Sequence, residues 1–219
     1  GSKGFPGKNI ANLLGKPLIA WTIGASLRSK YITKTFVSSD NQDILNISGK
    51  YGAHIIRRPD DLASDIASSE SVVKHALDYL ESKGKFFDIV CLLQPTSPLR
   101  SSQDIDSAFE NMSNSESTAI ISSNEFDNKI LKAFIKNSNG FLQGVANNRY
   151  PFMRRQDLPS VYMPNGAIYM VNVKSFREKG SFLTNKTSVY VMSKDKGIDI
   201  DTFEDIRKVE SIMKKTNCF

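Results

Sequence analysis

The sequence predicts an α/β fold built on a doubly wound, mostly parallel sheet. Short apolar segments alternate with helical segments along most of the 219 residues. The segment 88–93 is almost wholly apolar, which is typical of a strand buried on both faces. Capping pairs such as Ser101 with Asp104 mark helix starts. These observations predict helices on both faces of the sheet and ligands bound at the carboxyl ends of its strands.

Apolar spacing and turn residues place the elements in order. Predicted strands cover 35–38, 53–57, 88–93, 118–122, 166–173 and 189–192. Predicted helices cover 17–30, 40–52, 70–83, a segment after Ser101 and a segment after Thr202. Asp40 is the expected cap of the second helix. The apolar stripe of the last helix is expected to comprise Phe203, Ile206, Val209 and Met213.

Residues 124–164 interrupt this alternation. They are rich in Asn, Lys and Arg, and 130–136 has the pattern of an exposed strand, with Gly140 in a following turn. We interpret 124–164 as an excursion inserted into one domain that spans 1–219.

The composition excludes a disordered chain, a collagen and a coiled coil, because 40% of residues are hydrophobic and 24% are charged. The net charge of +6 favours anionic partners: nucleic acid, a nucleoside triphosphate or an acidic metabolite. It also fits a solvated surface with a positive bias. The basic residues are dispersed, which argues against a dedicated nucleic-acid arm.

The two cysteines, Cys91 and Cys218, form neither a disulfide framework nor a metal cluster. We interpret them as a buried thiol and a tail thiol, and expect a reducing, cytoplasmic location. No stretch approaches the ~18 apolar residues of a membrane span, and no signal peptide is visible, so we expect no membrane partner.

Four segments carry polar groups where a ligand is expected. The first, 1–9 (GSKGFPGKN), combines three glycines with two lysines and can cradle phosphate, or can be a flexible tail. Segment 57–69 offers Arg58 and serine hydroxyls at a helix start, which suits a base edge or a simple cap. Segments 92–100 (LLQPTSPLR) and 164–169 (PNGAIY) each join a strand to a polar turn.

Asp199 and Asp201 form the strongest chemical signal. In extended backbone, residues two apart share a face, so the two carboxylates lie side by side. Neighbouring carboxylates repel unless a cation bridges them or one is protonated. Mg²⁺ takes one or two carboxylates together with waters and phosphate oxygens. The alternative is a surface acidic loop that caps the helix at Thr202.

Taken together and in order, these blocks resemble the bacterial acylneuraminate cytidylyltransferases over essentially the whole chain. The matching blocks are GSKGFPGKNI, RRPDDLASDIASSES, LLQPTSPLR, PNGAIY and IDIDT. The resemblance implies a Rossmann-like sheet of the nucleotide-diphospho-sugar transferase type. It also implies Mg²⁺-dependent transfer of CMP from CTP to the anomeric hydroxyl of a nine-carbon 2-keto acid sugar, with release of pyrophosphate.

The same resemblance assigns roles to individual residues. It implies nucleotide contacts from Ser2, Lys3, Lys8, Asn9, Arg58, Ala67 and Ser69. It implies sugar contacts from Gln94, Lys132, Arg155, Asn165, Tyr169 and Phe182. Asp199 and Asp201 would hold the metal, and with Lys8 and Gln94 they form the expected catalytic set. The excursion would cross to a second subunit, so that Lys132 and Arg155 serve the partner's site in a homodimer.

The chain differs from the family in one respect. The family has a strand and an Ala-Arg pair just before the glycine loop, and the present sequence has neither. We expect that the sequence begins late. Two alternatives remain open: a related nucleotidyltransferase that activates a legionaminic, pseudaminic or Kdo-type acid, and, more remotely, a basic nucleic-acid binding protein.

Overall fold

A computed structural model describes residues 5, 7–59, 62 and 67–216. The strands are β1 (Asn12–Leu13), β2 (Lys16–Pro17), β3 (Phe36–Ser39), β4 (His54–Arg57), β5 (Ile89–Leu92), β6 (Ala119–Phe126), β7 (Phe134–Lys136), β8 (Leu142–Gly144), β9 (Val161–Asn172) and β10 (Thr187–Val191). The helices are α1 (Leu18–Leu27), α2 (Gln42–Lys50), α3 (Ser69–Glu81), α4 (Ser102–Asn114), α5 (Val173–Lys179) and α6 (Phe203–Thr216).

The main sheet has the strand order β10, β6, β9, β5. β10 pairs parallel to β6, whereas β9 pairs antiparallel to both β6 and β5. The α/β fold class is therefore confirmed, with one strand of this sheet reversed. The chain connection explains the reversal: β6 leads into the excursion and β9 returns beside it, so the two strands are the arms of one long hairpin.

A second sheet consists of β3 and β4, which pair parallel to each other. A cavity of about 630 Å³, here called the inter-sheet cavity, is lined by β3 and β5 and by residues of α1 and α3. Within the described part of the chain, β3 pairs only with β4, and β5 only with β9, so each strand has one unpaired edge. All four residues of β5 are only half-buried, although their apolar run predicts complete burial.

Most of the predicted helix starts are confirmed. Ser101 and Asp104 form the expected capping box of α4. At α6, the Thr202 N–H donates to Asp205, and the Asp205 N–H donates back to the Thr202 hydroxyl. Two details were wrong. Asn41, not Asp40, caps α2, because its side chain accepts from two helix-start amides. Phe203 is 59% exposed, so it lies outside the buried stripe of α6.

The excursion stands on the outer half of the β6–β9 hairpin, where Asn124 pairs with Met163. The predicted strand at 130–136 is shorter than expected: a 3₁₀ turn (Asn128–Lys132) precedes β7, which pairs with β8. Gly140 has φ +86° and forms the predicted turn between these two strands.

Cys91 lies in β5 and is half-buried rather than fully buried as expected. Loss of water around the thiol raises its pKa to about 12, so the thiol stays protonated. Cys218 lies outside the described residues. None of the described helices is long and apolar enough to cross a membrane.

Candidate active site

The glycine loop and the acidic pair meet in the folded chain. Gly7 adopts φ +72°, and a short 3₁₀ turn (Lys8–Ile10) follows it. The side chain of Lys8 is buried, and its ammonium donates to Asp201 Oδ1 at 3.1 Å. The sequence interpretation depended on this contact, since the two residues are 193 positions apart.

The acidic pair is held in register by the residue between its members. Ile200 is fully buried in a cluster with Leu13 and Leu18, and its N–H donates to the Thr96 carbonyl at 2.9 Å. The pair therefore lies beside the turn that follows β5. Partial burial of the Asp199 carboxyl raises its pKa, a hydrogen bond with Thr96 acts in the opposite direction, and the negative charge of Asp201 raises it further.

An ion pair between the buried Asp104 and the half-exposed Lys196 anchors the loop that precedes Asp199. Lys196 donates to both carboxylate oxygens of Asp104 at 2.8 Å. Burial acts to raise the pKa of Asp104, but the hydrogen bonds from Lys196 and Ser101 hold that pKa below its ordinary value. The cap of α4 thus also fixes the start of the acidic segment.

Five of the seven predicted nucleotide-binding residues line the inter-sheet cavity. Its lining includes Lys8, Asn9, Arg58, Ala67 and Ser69. Sequence analysis did not predict the partner of Arg58: Asp40 accepts from its guanidinium at 2.6 Å. Asp40, wrongly expected to be a helix cap, therefore orients Arg58. The two remaining predicted residues, Ser2 and Lys3, lie outside the described residues.

A second, smaller cavity of about 430 Å³ is lined by three of the six predicted sugar contacts. Its lining includes Gln94, Asn165, Gly166, Tyr169 and Asp199, and we call it the small cavity. Gly166 has φ +76°, and a Cβ at this position would overlap the side-chain oxygen of Gln94. The left-handed backbone favours glycine here, and the missing side chain leaves room for the Gln94 amide of the turn after β5 beside β9.

Arg100 was not predicted and is central to the geometry. It is 2% exposed and donates to the carbonyls of Gln94 and Ala167 at 3.2 and 2.9 Å, and to the Thr22 hydroxyl at 2.7 Å. Burial lowers the pKa of its guanidinium to about 10. Arg100 thus ties the turn after β5 to β9 and to α1. Its position in LLQPTSPLR, after two prolines, gave no signal of burial.

Three predicted sugar contacts do not line either cavity. Lys132 donates to the Met153 carbonyl at 2.7 Å, and Arg155 pairs with Asp127 at 3.4 Å, both within the excursion. Phe182 is 4% exposed and packs against the ring of Tyr169, with 5.5 Å between centroids. Phe182 therefore packs against Tyr169 and does not itself line the small cavity.

Among the described residues, no group of three or more His, Cys, Asp or Glu side chains could enclose a metal ion. A cation at Asp199 and Asp201 would need further ligands from water or substrate. This donor set fits Mg²⁺, which is commonly held by one or two carboxylates plus substrate phosphates. A cation would also relieve the repulsion that raises the pKa of Asp199.

Comparison with known proteins decides the family. A family model described as cytidylyltransferase matches residues 1–217. The chain belongs to the cytidylyltransferase family. The resemblance found in the sequence is thereby confirmed, and the catalysed reaction is a cytidylyl transfer.

Individual relatives of this cytidylyltransferase differ in their named substrates. It is 34% identical to the pseudaminic acid cytidylyltransferase of Campylobacter jejuni subsp. jejuni serotype O:2, over 98% of this chain and 92% of that one. It is also 34% identical to the N-acylneuraminate cytidylyltransferase of Streptococcus agalactiae serotype III, of which it spans 49%. The structure of CMP:2-keto-3-deoxy-manno-octonic acid synthetase complexed with CTP superposes with a TM-score of 0.70, at 15% identity and over 99% of this chain and 95% of that one. This likeness shows the shared fold.

Proposed function

We propose that this cytidylyltransferase transfers CMP from CTP to the anomeric hydroxyl of a nine-carbon 2-keto acid sugar and releases pyrophosphate. The observation that carries the proposal is the contact between Lys8 and Asp201. It brings the anion-binding loop and the acidic pair to the boundary between the two cavities.

Each cavity suits one substrate. Lys8, Asn9 and Arg58 offer cations and amides to a triphosphate and a base in the inter-sheet cavity. Gln94, Asn165 and Tyr169 offer hydrogen-bonding groups to a polyhydroxylated acid in the small cavity. Asp199 lines the small cavity, and Asp201 contacts Lys8, which lines the inter-sheet cavity. Both observations support a role for the acidic pair between the two substrates.

The acidic pair is the proposed magnesium site. When bound there, Mg²⁺ supplies charge neutralisation for the phosphates. The chain's own part is positioning: Lys8 holds phosphate oxygens, and the turn after β5 orients the sugar toward them. Because attack by the hydroxyl on phosphorus needs no covalent enzyme intermediate, rate depends on this alignment and on fixed charges.

We propose a class of sugar substrate and not one particular sugar. Pseudaminic and N-acylneuraminic acid are named for relatives of equal identity, and this chain matches both a pseudaminic acid cytidylyltransferase and a CMP-N,N'-diacetyllegionaminic acid synthase over 92% of their own length. We therefore favour a nonulosonic acid and rank pseudaminic and legionaminic acid first among the sugars to test.

The decisive test is pyrophosphate release by purified protein with Mg²⁺, each of CTP, UTP, TTP and GTP, and a panel of N-acetylneuraminic, legionaminic, pseudaminic and Kdo-type acids. We expect turnover with CTP and one nonulosonic acid. Turnover only with another nucleotide, or none with any sugar, would contradict the proposal. Lys8→Ala should raise the KM for CTP and leave the KM for the sugar nearly unchanged.

We also propose a homodimer built through the excursion. Its surface exposes large apolar side chains, including Phe141 (70%), Leu142 (69%) and Phe152 (81%), and such patches are typical of interfaces. Lys132 and Arg155 belong to the same segment and line neither cavity of their own chain, which supports their use by a partner. Phe152→Asp should shift sedimentation to the monomer, whereas Phe86→Asp, on a residue 75% exposed outside the excursion, should not.

Finally, we propose that the inter-sheet cavity holds the strand that the family resemblance places before the glycine loop. Support comes from the unpaired edges of β3 and β5 and from apolar side chains on α1 and α3 that line the space between them. Gly7 and Lys8 lie at the cavity wall, so a strand in this space could lead directly into the loop.

A further inference from the structure

The pairing of β6 with β9 is interrupted at one point beside the small cavity. Ile121 pairs with Tyr169 and Ser123 pairs with Pro164, so Ser122 alone faces residues 165–168. Irregularities of this kind bend a strand and redirect its side chains, and they are frequent next to active sites. Here the redirected residue is Asn165, which lines the small cavity.

The fully buried hydroxyl of Ser122 replaces the missing backbone pairing. The Ile168 N–H donates to Ser122 Oγ at 2.7 Å, so the hydroxyl proton is available for a second bond. Ser122 donates it to Asn165 Oδ1 at 2.6 Å. The Ala167 N–H also donates to Asn165 Oδ1, at 3.2 Å. Because both groups are donors, they require the oxygen of the Asn165 amide on this side.

The amino group of Asn165 is consequently left on the other branch of the amide. Asn165 is 8% exposed, and its Nδ2 has no hydrogen-bond partner among the residues that the structure describes. Buried donors in folded proteins are nearly always paired, so an unpaired one beside a cavity indicates a missing ligand atom. The complementary atom is an acceptor oxygen.

We propose that Ser122 is a positioning residue, which fixes the Asn165 amide so that Nδ2 donates to an acceptor oxygen of the sugar acid. This inference rests on the proposed function, because it takes the small cavity as the sugar site. Ser122 itself is fully buried and acts only through Asn165. A flipped amide would present Oδ1 instead and would repel the same oxygen.

Steady-state kinetics of Ser122→Ala test the proposal. We expect the KM for the sugar to rise about 5–30-fold, the effect of one or two lost kcal/mol, with the KM for CTP unchanged. The matched control is Ser123→Ala, which removes a hydroxyl from the neighbouring buried serine and should leave both constants unchanged. An unchanged sugar KM in Ser122→Ala, or an equal rise for both substrates, would overturn the positioning role.

A double-mutant cycle separates positioning from general loosening of the sheet. If Ser122 acts through Asn165, Ser122→Ala should have no further effect on the sugar KM in an Asn165→Ala background. Additive effects would contradict the proposal. Should Ser122→Ala not fold, Ser122→Cys keeps the shape with a weaker donor, and a sugar KM equal to wild type would then overturn it. Absence of turnover in the wild-type protein would instead refute the proposed function.

Discussion

The two sides of β5 differ in how completely the sheet is built. On the side of β9, β6 and β10, residues such as Ala119, Ile120 and Val171 are fully buried, and every strand has a paired neighbour. On the side of β3, β5 faces the inter-sheet cavity with an unpaired edge. The sugar-contacting candidates Asn165 and Tyr169 stand on the complete side, and Arg58 stands on the incomplete one. The candidate contacts for the two substrates therefore stand on different parts of the sheet.

The largest expected effect comes from Arg100, which joins the complete side to the turn after β5. Arg100→Ala removes three hydrogen bonds, takes the guanidinium donor away from the buried Ala167 carbonyl and opens a cavity. We expect the free energy of unfolding to fall by about 3–5 kcal/mol, measured by urea denaturation. Arg28→Ala, on an exposed residue, should change it by less than about 0.5 kcal/mol. Equal stability of the two variants would contradict the assigned role.

The substitution Asp201→Asn is expected to lower activity without lowering stability. The Asp201 side chain is 74% exposed, so Asp201→Asn should leave the melting temperature almost unchanged. Loss of one proposed metal ligand should lower kcat by about 100-fold or more, the scale seen for fixed electrostatic groups at reacting centres. Asp195→Asn, on an exposed residue earlier in the same loop, is the control. Normal kcat in Asp201→Asn would remove the metal role.

Filling the inter-sheet cavity with a strand should give the open edges of β3 and β5 a paired neighbour. An N-terminal extension that carries a six-residue valine- and isoleucine-rich strand is expected to stabilise the protein by about 2 kcal/mol, since each fully buried apolar side chain contributes about 1.5–3 kcal/mol against ordering costs. Calorimetry should show a melting temperature higher by roughly 4–8 °C. A Gly/Ser extension of equal length should give no increase. Equal melting temperatures would show that the cavity does not accept a strand.

The smallest expected effect is the pH response of Asp199. Its pKa is raised in the folded protein, so folding binds a proton at this site and ionisation disfavours the folded state. In metal-free buffer, stability from this group is present below the ordinary carboxyl pKa and is lost as pH rises through the raised value. Asp199→Asn should therefore melt above wild type at pH 7, with the difference shrinking toward pH 4. A constant difference across this range would contradict the assignment.

Local sequence signals were sufficient for much of the fold. Caps at Ser101 and Thr202 and the apolar run of β5 depend on residues close in sequence, and the structure confirms them. The expectation that Lys8 and Asp201 act together came from the family resemblance, and the structure brings the two residues into contact. The caps and the strand needed no knowledge of long-range pairing.

Other features could not be predicted because they depend on contacts between distant segments. The buried position of Arg100 requires a carbonyl from the turn after β5, a carbonyl from β9 and a hydroxyl from α1. The reversed direction of β9 depends on pairing across the excursion. Asp is a common capping residue, so Asp40 was a reasonable candidate. Asn41 is one residue nearer the helix and caps it instead, and the Asp40 carboxylate accepts from Arg58.

The close approach of Gly166 to Gln94 limits the side chains that position 166 of β9 can accept. Any added carbon must displace the Gln94 amide, and the backbone there is also left-handed. Even alanine, the smallest replacement, would therefore displace a proposed sugar contact and also strain the backbone at position 166. Attempts to broaden substrate choice by library selection should leave this position fixed and vary Met163 or Phe126, both exposed at the same rim.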